Sequence, residues 1–421
     1  MRVAVIGAGI VGVTTAHELA SDGHDVTVFE QRPAVASEAS FANAGLLAPG
    51  YIAPWAAPGM PGKVLRQLFG RDAAVRIGGV SALALLPWLW RWWRSCAPET
   101  HRRNRVAMRG LARYSQARMQ ALTERLRLDY EQASGLLVLL RSEREAAAAG
   151  PGLRLLQELG VEHRWLDGLA ARQVEPGLDA GRPLAGAIHL PQDGVGNCRH
   201  FAHQLKEHAQ RLGASFRFGH AVVSLQPGTR PGLTWRTAGG QGEAGFDHVV
   251  VCAGVQAGEL LRACGVALPL VSVFGHAITA PLRLHDHAPT GPRSAVVDER
   301  FQVAITRLGQ RVRVAGGAEL GGRAGLANPK AVATLYRVLA DWFPGTAPLR
   351  DVQVWKGARP MLPDGPPVLG ASGAPGLWLN LGHGASGWML ACGSARALAD
   401  LVAGRAVEVD LTHLDPVRLR H

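Results

Sequence analysis

The opening thirty residues constrain the fold more than any other stretch of this chain. Arg2-Val-Ala-Val-Ile6 is an apolar run of buried-strand type that leads into Gly7-Ala-Gly9-Ile10-Val11-Gly12. A helical run follows, Val13 to Ala20, closed by Gly23. A second strand, Asp25 to Phe29, ends at Glu30. Each residue type has a physical task. Gly7 permits a tight turn, Gly9 lets backbone approach a pyrophosphate, and Gly12 lets helix and strand pack closely. The helix N-terminus faces phosphate, and Glu30 is spaced to accept from a ribose hydroxyl. The unit therefore reads as a dinucleotide-binding βαβ, with NAD and FAD both open at this point.

The next segment favours an extended cofactor. An NAD-type domain continues with a helix and a third strand. Here Ser37 to Tyr51 instead offers small residues with hydroxyl and amide groups, including Ser40, Asn43, Ala44 and Gly45. Residues 63–127 read as helical and Arg-rich, and Gly135–Leu140 as a strand. A helix is expected from Asn197, with Phe201, Leu205, Ala209 and Leu212 on one face. Short strands follow at 215–218, 221–225 and 233–236. The buried strand from Asp247 then ends in the small-residue turn Ala253-Gly254, suited to a second approach to the dinucleotide. Alternation of β type runs from Leu268 to Leu320, interrupted by a Pro-rich loop at 281–292, and a helix is expected over 327–343.

Two constellations occupy the last third of the chain. Trp355-Lys-Gly-Ala-Arg359-Pro360 runs on to Asp364-Gly365. Leu377 to Trp388 reads as strand, glycine loop and helix, with Gly382, His383, Gly384 and Ser386 in the loop. That helix N-terminus suits negative charge on the pyrimidine side of a reduced flavin. The P-loop lysine is absent, which excludes a nucleoside-triphosphate site of that kind. The five cysteines are odd in number and form no C-x-x-C, so neither a disulfide framework nor a zinc site is expected. No run reaches the ~20 apolar residues of a membrane span. No signal-peptide layout is seen at the start, so the expectation is a cytoplasmic protein.

Together these segments resemble the flavin-dependent amine and amino-acid oxidoreductases of the D-amino-acid oxidase superfamily, and most of all its bacterial D-amino-acid dehydrogenases of small-subunit type. Carrying segments run in order through nearly the whole chain: Gly7–Gly12, Ala42–Gly45, Pro49–Tyr51, Pro54–Gly59, Leu190–Asp193, Ala304–Arg307, Arg359–Gly365 and Gly382–Gly384. The resemblance implies an α/β chain of two units. One is a discontinuous Rossmann-like FAD-binding domain, 1–50, 195–265 and 350–421. The other is an α+β substrate domain with a mixed sheet, 51–194 and 266–349. It also implies FAD held by Gly7, Gly9, Ile10, Val11, Gly12, Glu30 and Gln31, by Ser40, Asn43, Ala44 and Gly45, by Val223, Ala253 and Gly254, and by Gly382, His383, Gly384 and Ser386. His383 is expected to contribute its backbone rather than its ring.

The implied reaction is oxidation of a D-amino acid to an imino acid, which water converts to a 2-oxo acid and ammonia. Electrons pass to a quinone or other respiratory acceptor. With the amine neutral, the Cα hydrogen leaves as hydride and needs no dedicated base. Arg359 is assigned to the substrate carboxylate, because a guanidinium binds that group through a planar fork. Tyr51 is assigned as a second donor there. The Lys-Gly-Tyr typical of the family's substrate sheet stands here as Phe274-Gly275-His276. His276 is therefore a candidate for tuning substrate size or pH response. A D-hydroxyproline or proline-type dehydrogenase, an oxygen-using oxidase and, more remotely, a tRNA-modifying flavoprotein are the alternatives.

The formal net charge of +12 is uneven along the chain. Residues 88–127 hold ten arginines against Glu99 and Glu124, and four of the 11 tryptophans: Trp88, Trp90, Trp92 and Trp93. Two readings compete. One is a contact with the headgroups of an anionic membrane, on the cytoplasmic face of the inner membrane. The other is a helix with Trp in the core and Arg in solvent. Neither resembles a nucleic-acid-reading surface with stacking aromatics on a sheet.

Overall fold

The structure is a computed structural model and describes residues 1–68, 74–77, 83–283 and 291–419. Ala82 and residues 284–290 of the Pro-rich loop therefore lie outside the described residues, as do 69–73 and 78–82 of the helical Arg-rich stretch.

The opening run forms strand Arg2–Ile6, helix Ile10–Ser21 and strand Asp25–Glu30. Arg2–Ile6 sits inside a six-stranded sheet, flanked in parallel by His248–Val251 and Asp25–Glu30. Leu377–Leu381 and Val368–Ala371 extend one side and Ser215–Phe218 the other. Val368–Ala371 alone runs antiparallel. The continuous apolar runs of these strands are explained by burial on both faces. On one face Val3, Val5 and Val250 pack against three helices, Ile10–Ser21, Cys198–Arg211 and Gly387–Val402. On the other face Ile6, Val249, Val251 and Leu379 meet Leu233 and Phe246 near a three-stranded antiparallel sheet of residues 221–245.

A ten-stranded mixed sheet forms the second layer system. Its path runs Gln353–Met361, Val271–Pro281, Arg311–Leu320, Val303–Leu308, Ala295–Asp298, Ala133–Leu140, Gly186–Val195 and Leu46–Leu47. Val75–Ile77 and Arg164–Leu166 pair beside this path. Helix Pro329–Trp342 covers one face, placing Leu335, Val338 and Trp342 over Val296, Ile305 and Val314. The helix starts where Asn328 accepts from the Lys330 and Ala331 amides. The boundary expected at residue 350 is not where the sheets divide. Gln353–Met361 pairs along its length with Val271–Pro281 and so belongs to the large sheet. Leu46–Leu47 likewise pairs with Gly194 and Val195.

The Arg/Trp segment resolves into helices Leu86–Ser95 and Pro98–Leu126. Both readings of its tryptophans hold in part. Trp88 and Trp92 are buried against Trp55, whereas Trp90 and Trp93 are 57% and 54% exposed and stack on each other. The arginines divide too. Arg118 pairs with buried Glu18, while Arg94, Arg102, Arg103 and Arg113 are exposed with no ion pair among the described residues. No described helix is long and apolar enough to cross a membrane.

Asp298 ties the large sheet to its covering helix. It is fully buried at the end of Ala295–Asp298. It accepts from Arg141 Nε at 2.6 Å, Trp342 Nε1 at 2.6 Å and the Phe301 amide at 3.2 Å. Arg141 also pairs with Asp341 at 2.8 Å, but removing the Asp298 carboxylate leaves Arg141 Nε, Trp342 Nε1 and the Phe301 amide without their acceptor. Asp298→Ala is therefore expected to lower stability by about 3 kcal/mol. Urea unfolding followed by tryptophan fluorescence checks this, and an unchanged midpoint would contradict it.

Candidate functional site

A cavity of about 830 Å³ lies between the two large sheets. It is bordered by 19 of the 21 residues assigned from sequence: all but Gly12 and Ser386. Gly12 acts one layer behind. A Cβ there would stand 1.9 Å from Gly7 O, so only glycine lets the helix sit this close to the turn. Gly7 itself has φ +98°, which any side chain would strain.

The cofactor end is built from backbone. Helix Ile10–Ser21 begins at Gly9, with no side-chain cap from that residue and no acid in its first turn. Its N-terminal amides thus suit a phosphate. Ser40 Oγ accepts from the Ile10 amide at 3.1 Å and pins the 37–45 loop against this turn. Glu30 is held by two backbone donors, Ala8 N at 2.7 Å and Arg32 N at 2.8 Å. Burial raises its pKa against these two hydrogen bonds. Each of its oxygens retains a lone pair for a hydroxyl. Asn380 is fully buried at the cavity wall, gives Nδ2 to Thr15 Oγ1, and leaves Oδ1 with no partner among the described residues. An orphaned acceptor of this kind fits a ligand donor.

The flavin loop also depends on glycines. Gly382 and Gly384 have φ +78° and +55°, and a Cβ on either would strike Leu362 or Met361 at 2.5 or 2.6 Å. The His383 ring is buried, and its Nε2 lies 3.1 Å from Ser394 Oγ. Burial lowers its pKa to about 3, so the ring is neutral. Its ring is used to pack the loop onto helix Gly387–Val402.

At the far end of the cavity stands Arg359. It projects from Gln353–Met361 next to Gly275 of the facing strand, where an added Cβ would lie 2.3 Å from Nη2. Nη1 donates to Gly317 O at 2.7 Å. No carboxylate lies within ion-pair distance among the described residues. The side chain is half-buried, with the cavity at its free surface. Burial alone lowers its pKa to about 10, which leaves it charged at neutral pH.

Tyr51 and His276 also reach the cavity, but with commitments the sequence does not reveal. The Tyr51 backbone is fixed by Asp193, whose two oxygens accept from the Gly50 and Tyr51 amides at 2.9 and 3.0 Å. Its hydroxyl donates to Glu299 Oε2 at 3.1 Å. Its proton is therefore engaged and does not point to a substrate carboxylate as expected. His276 Nε2 accepts from the Asn328 amide at 3.1 Å, and the ring shares a small enclosed cavity of about 20 Å³ with Glu319 and Thr334. Burial lowers its pKa to about 4. The ring thus braces helix Pro329–Trp342 through Nε2 while still bordering the large cavity. A lysine stands beside it, since Lys356 is registered opposite His276 and pairs with Glu319 at 2.9 Å.

Sequence reasoning missed Glu299, Gln302, Gly275, Gly357 and Asn380. Of these, the two glycines carried a signal, as single Gly residues inside strand patterns mark close approach of a ligand or a bulky group.

Comparison with known proteins agrees with this geometry. The family model described as FAD dependent oxidoreductase matches residues 2–401. A D-amino acid dehydrogenase of Cereibacter sphaeroides is 41% identical over 98% of this chain and 94% of its own. Another, of Chromohalobacter salexigens, is 39% identical over 99% of both. Among solved structures, glycine oxidase from Geobacillus kaustophilus superposes with TM-score 0.75 at 24% identity, covering 100% of this chain and 99% of its own. Iminodiacetate oxidase from Chelativorans sp. BNC1 gives 0.72 at 24%, over 99% of both. The last two speak to the fold. The dinucleotide turn, the glycine loops and the match over nearly the whole length lead to one conclusion: this chain belongs to the FAD-dependent oxidoreductase family.

Proposed function

We propose that the protein oxidises small D-amino acids at Cα–N, giving imino acids that water converts to 2-oxo acids and ammonia. One observation carries this reading above the others. Arg359 is a half-buried cation on the wall of the cofactor cavity, with no counter-ion among the described residues. Such a group costs stability unless a ligand supplies the anion. A carboxylate matches the guanidinium fork in shape and charge. The D-configuration is supported by the names of the relatives near 40% identity.

FAD supplies the two-electron acceptor. The residues for it are those at the Gly7–Gly12 turn, Glu30, the 40–45 loop, Val223, Ala253-Gly254 and the Gly382–Ser386 loop. Arg359 orients the substrate by its carboxylate, and Gly275 and Gly357 make space for the Arg359 guanidinium and the Trp355 ring that border the cavity. Holding Cα in one place makes the carboxylate clamp act on rate as well as affinity.

For the electron acceptor we favour a quinone at a membrane surface. Leu86, Trp90 and Trp93 fall at i, i+4 and i+7 of Leu86–Ser95, all more than half exposed, with Arg91 and Arg94 beside them. An apolar stripe with aromatic residues and flanking arginines suits the headgroup region of anionic lipid.

Two outcomes are expected. Anaerobic D-alanine bleaches the flavin of the FAD-loaded protein and L-alanine does not. Arg359→Ala lowers kcat/KM by roughly a hundredfold or more, since a buried charge partner is worth about 2–5 kcal/mol. The same variant keeps or raises the thermal midpoint, because it removes an unpaired buried charge. A lower midpoint with unchanged kcat/KM would assign Arg359 to structure instead. In vesicle flotation, the protein floats with phosphatidylglycerol vesicles at low salt, and a Trp90→Ser/Trp93→Ser variant does not. Equal flotation of both forms would remove the membrane reading.

A further inference from the structure

Oxidation at Cα requires a lone pair on the substrate nitrogen, and an amino acid at neutral pH carries an ammonium. Something at the substrate end has to take that proton. The histidines there are engaged: His276 Nε2 accepts from the Asn328 amide, and His383 Nε2 faces Ser394 Oγ. The carboxylates bordering the cavity, Glu30, Glu38 and Glu259, belong to the dinucleotide segments, and Glu38 is paired with Arg32. What remains is Tyr51, which borders the cavity and hands its hydroxyl proton to Glu299 Oε2 at 3.1 Å.

We propose that Glu299, acting through the Tyr51 hydroxyl, takes the ammonium proton of the bound substrate. This assignment rests on the amino-acid reading above. Because the phenol O–H points at Glu299, the phenol oxygen offers the cavity a lone pair. It therefore faces an N–H donor rather than a carboxylate. The proton moves from substrate nitrogen to Tyr51 Oη as the Tyr51 proton moves to Glu299 Oε2. An ammonium and a carboxylate become an amine and a carboxylic acid, and no carbon bond changes. With FAD bound to supply the two-electron acceptor, the freed nitrogen lone pair would be available to form C=N as the Cα–H bonding pair is given up.

The surroundings support this use. Burial raises the Glu299 carboxyl, with Lys63, Tyr51 and Gln302 opposing and Asp298 adding to the rise. A raised carboxyl is a better proton acceptor at neutral pH. Burial and the Glu299 charge raise Tyr51 well above its ordinary value, so it stays a hydroxyl and serves as a relay. The turn is rigidly set. Asp298 accepts from the Phe301 amide, Gln302 sits at φ 51°, and its Nε2 donates to Glu299 O at 3.0 Å.

Anaerobic flavin reduction by D-alanine is followed against pH in the parent, Glu299→Gln and Tyr51→Phe. The parent rate holds through neutral pH and falls on the acid side. Both variants fall by about 10²-fold at neutral pH and recover as pH rises toward the substrate amine's own titration. Propionate, a carboxylate without an amine, is titrated separately through the flavin spectrum and binds all three forms alike. Variant profiles that superimpose on the parent overturn the proposal. So does loss of propionate binding in Glu299→Gln, which would place Glu299 in the carboxylate clamp. If propionate does not bind the parent and no D-amino acid reduces it, the underlying amino-acid reading fails as well.

Discussion

A guanidinium on the cavity wall, with no counter-ion among the described residues, is the constraint around which the large mixed sheet is arranged. Arg359 reaches its place only because the strands around it carry glycines. Gly275 yields the space over which the guanidinium lies, and the carbonyl of Gly317 takes one of its five donors. A side chain at 275 would push the fork out of the cavity. The large mixed sheet thus gives this charge a carbonyl partner but no anion among the described residues, a costly arrangement that the proposed substrate carboxylate would relieve.

The same economy of side chains governs the cofactor half. Gly12 against Gly7 brings the first helix within reach of the turn, and Gly382 and Gly384 do the equivalent for the last one. Both helices present backbone amides to one cavity from opposite ends of the sequence. Their packing on each other, with Thr14 Oγ1 donating to Ala391 O at 3.2 Å, joins the two binding loops into one rigid wall. Damage to either glycine pair would therefore disturb a shared surface rather than one local turn.

Much of this was legible in the sequence, and what was not has a physical reason. The dinucleotide unit was visible because its demands are local: strand, turn, helix and acid lie within thirty residues. Strand Gln353–Met361 was not, since Lys-Gly-Ala-Arg-Pro has little β propensity and its register is set by a partner strand some eighty residues away. Val297-Asp298-Glu299-Arg300 looks like a solvated turn. Asp298 is instead fully buried, because Arg141 and Trp342 arrive from distant segments. The tryptophans of Leu86–Ser95 divide by face, and the inner face is set by packing against Trp55 and residues of distant segments such as Val273, Leu320 and Met361.

Arg359 and Tyr51 border the same cavity, and Glu299 stands behind Tyr51. Arg359 lacks an anion, and Glu299, reached through Tyr51, lacks a cation at hydrogen-bond distance among the described residues. Each alone destabilises the empty protein. A zwitterion relieves both at once, with its carboxylate toward the arginine and its ammonium toward the phenol oxygen. The two contacts fix two of the four substituents on Cα. With the cofactor face fixing the third, the hydrogen, the side chain has one direction left, and exchange of hydrogen and side chain turns the hydrogen away from the flavin. On the proposed assignment, stereochemical choice follows from where Arg359 and Tyr51 stand relative to the cofactor wall.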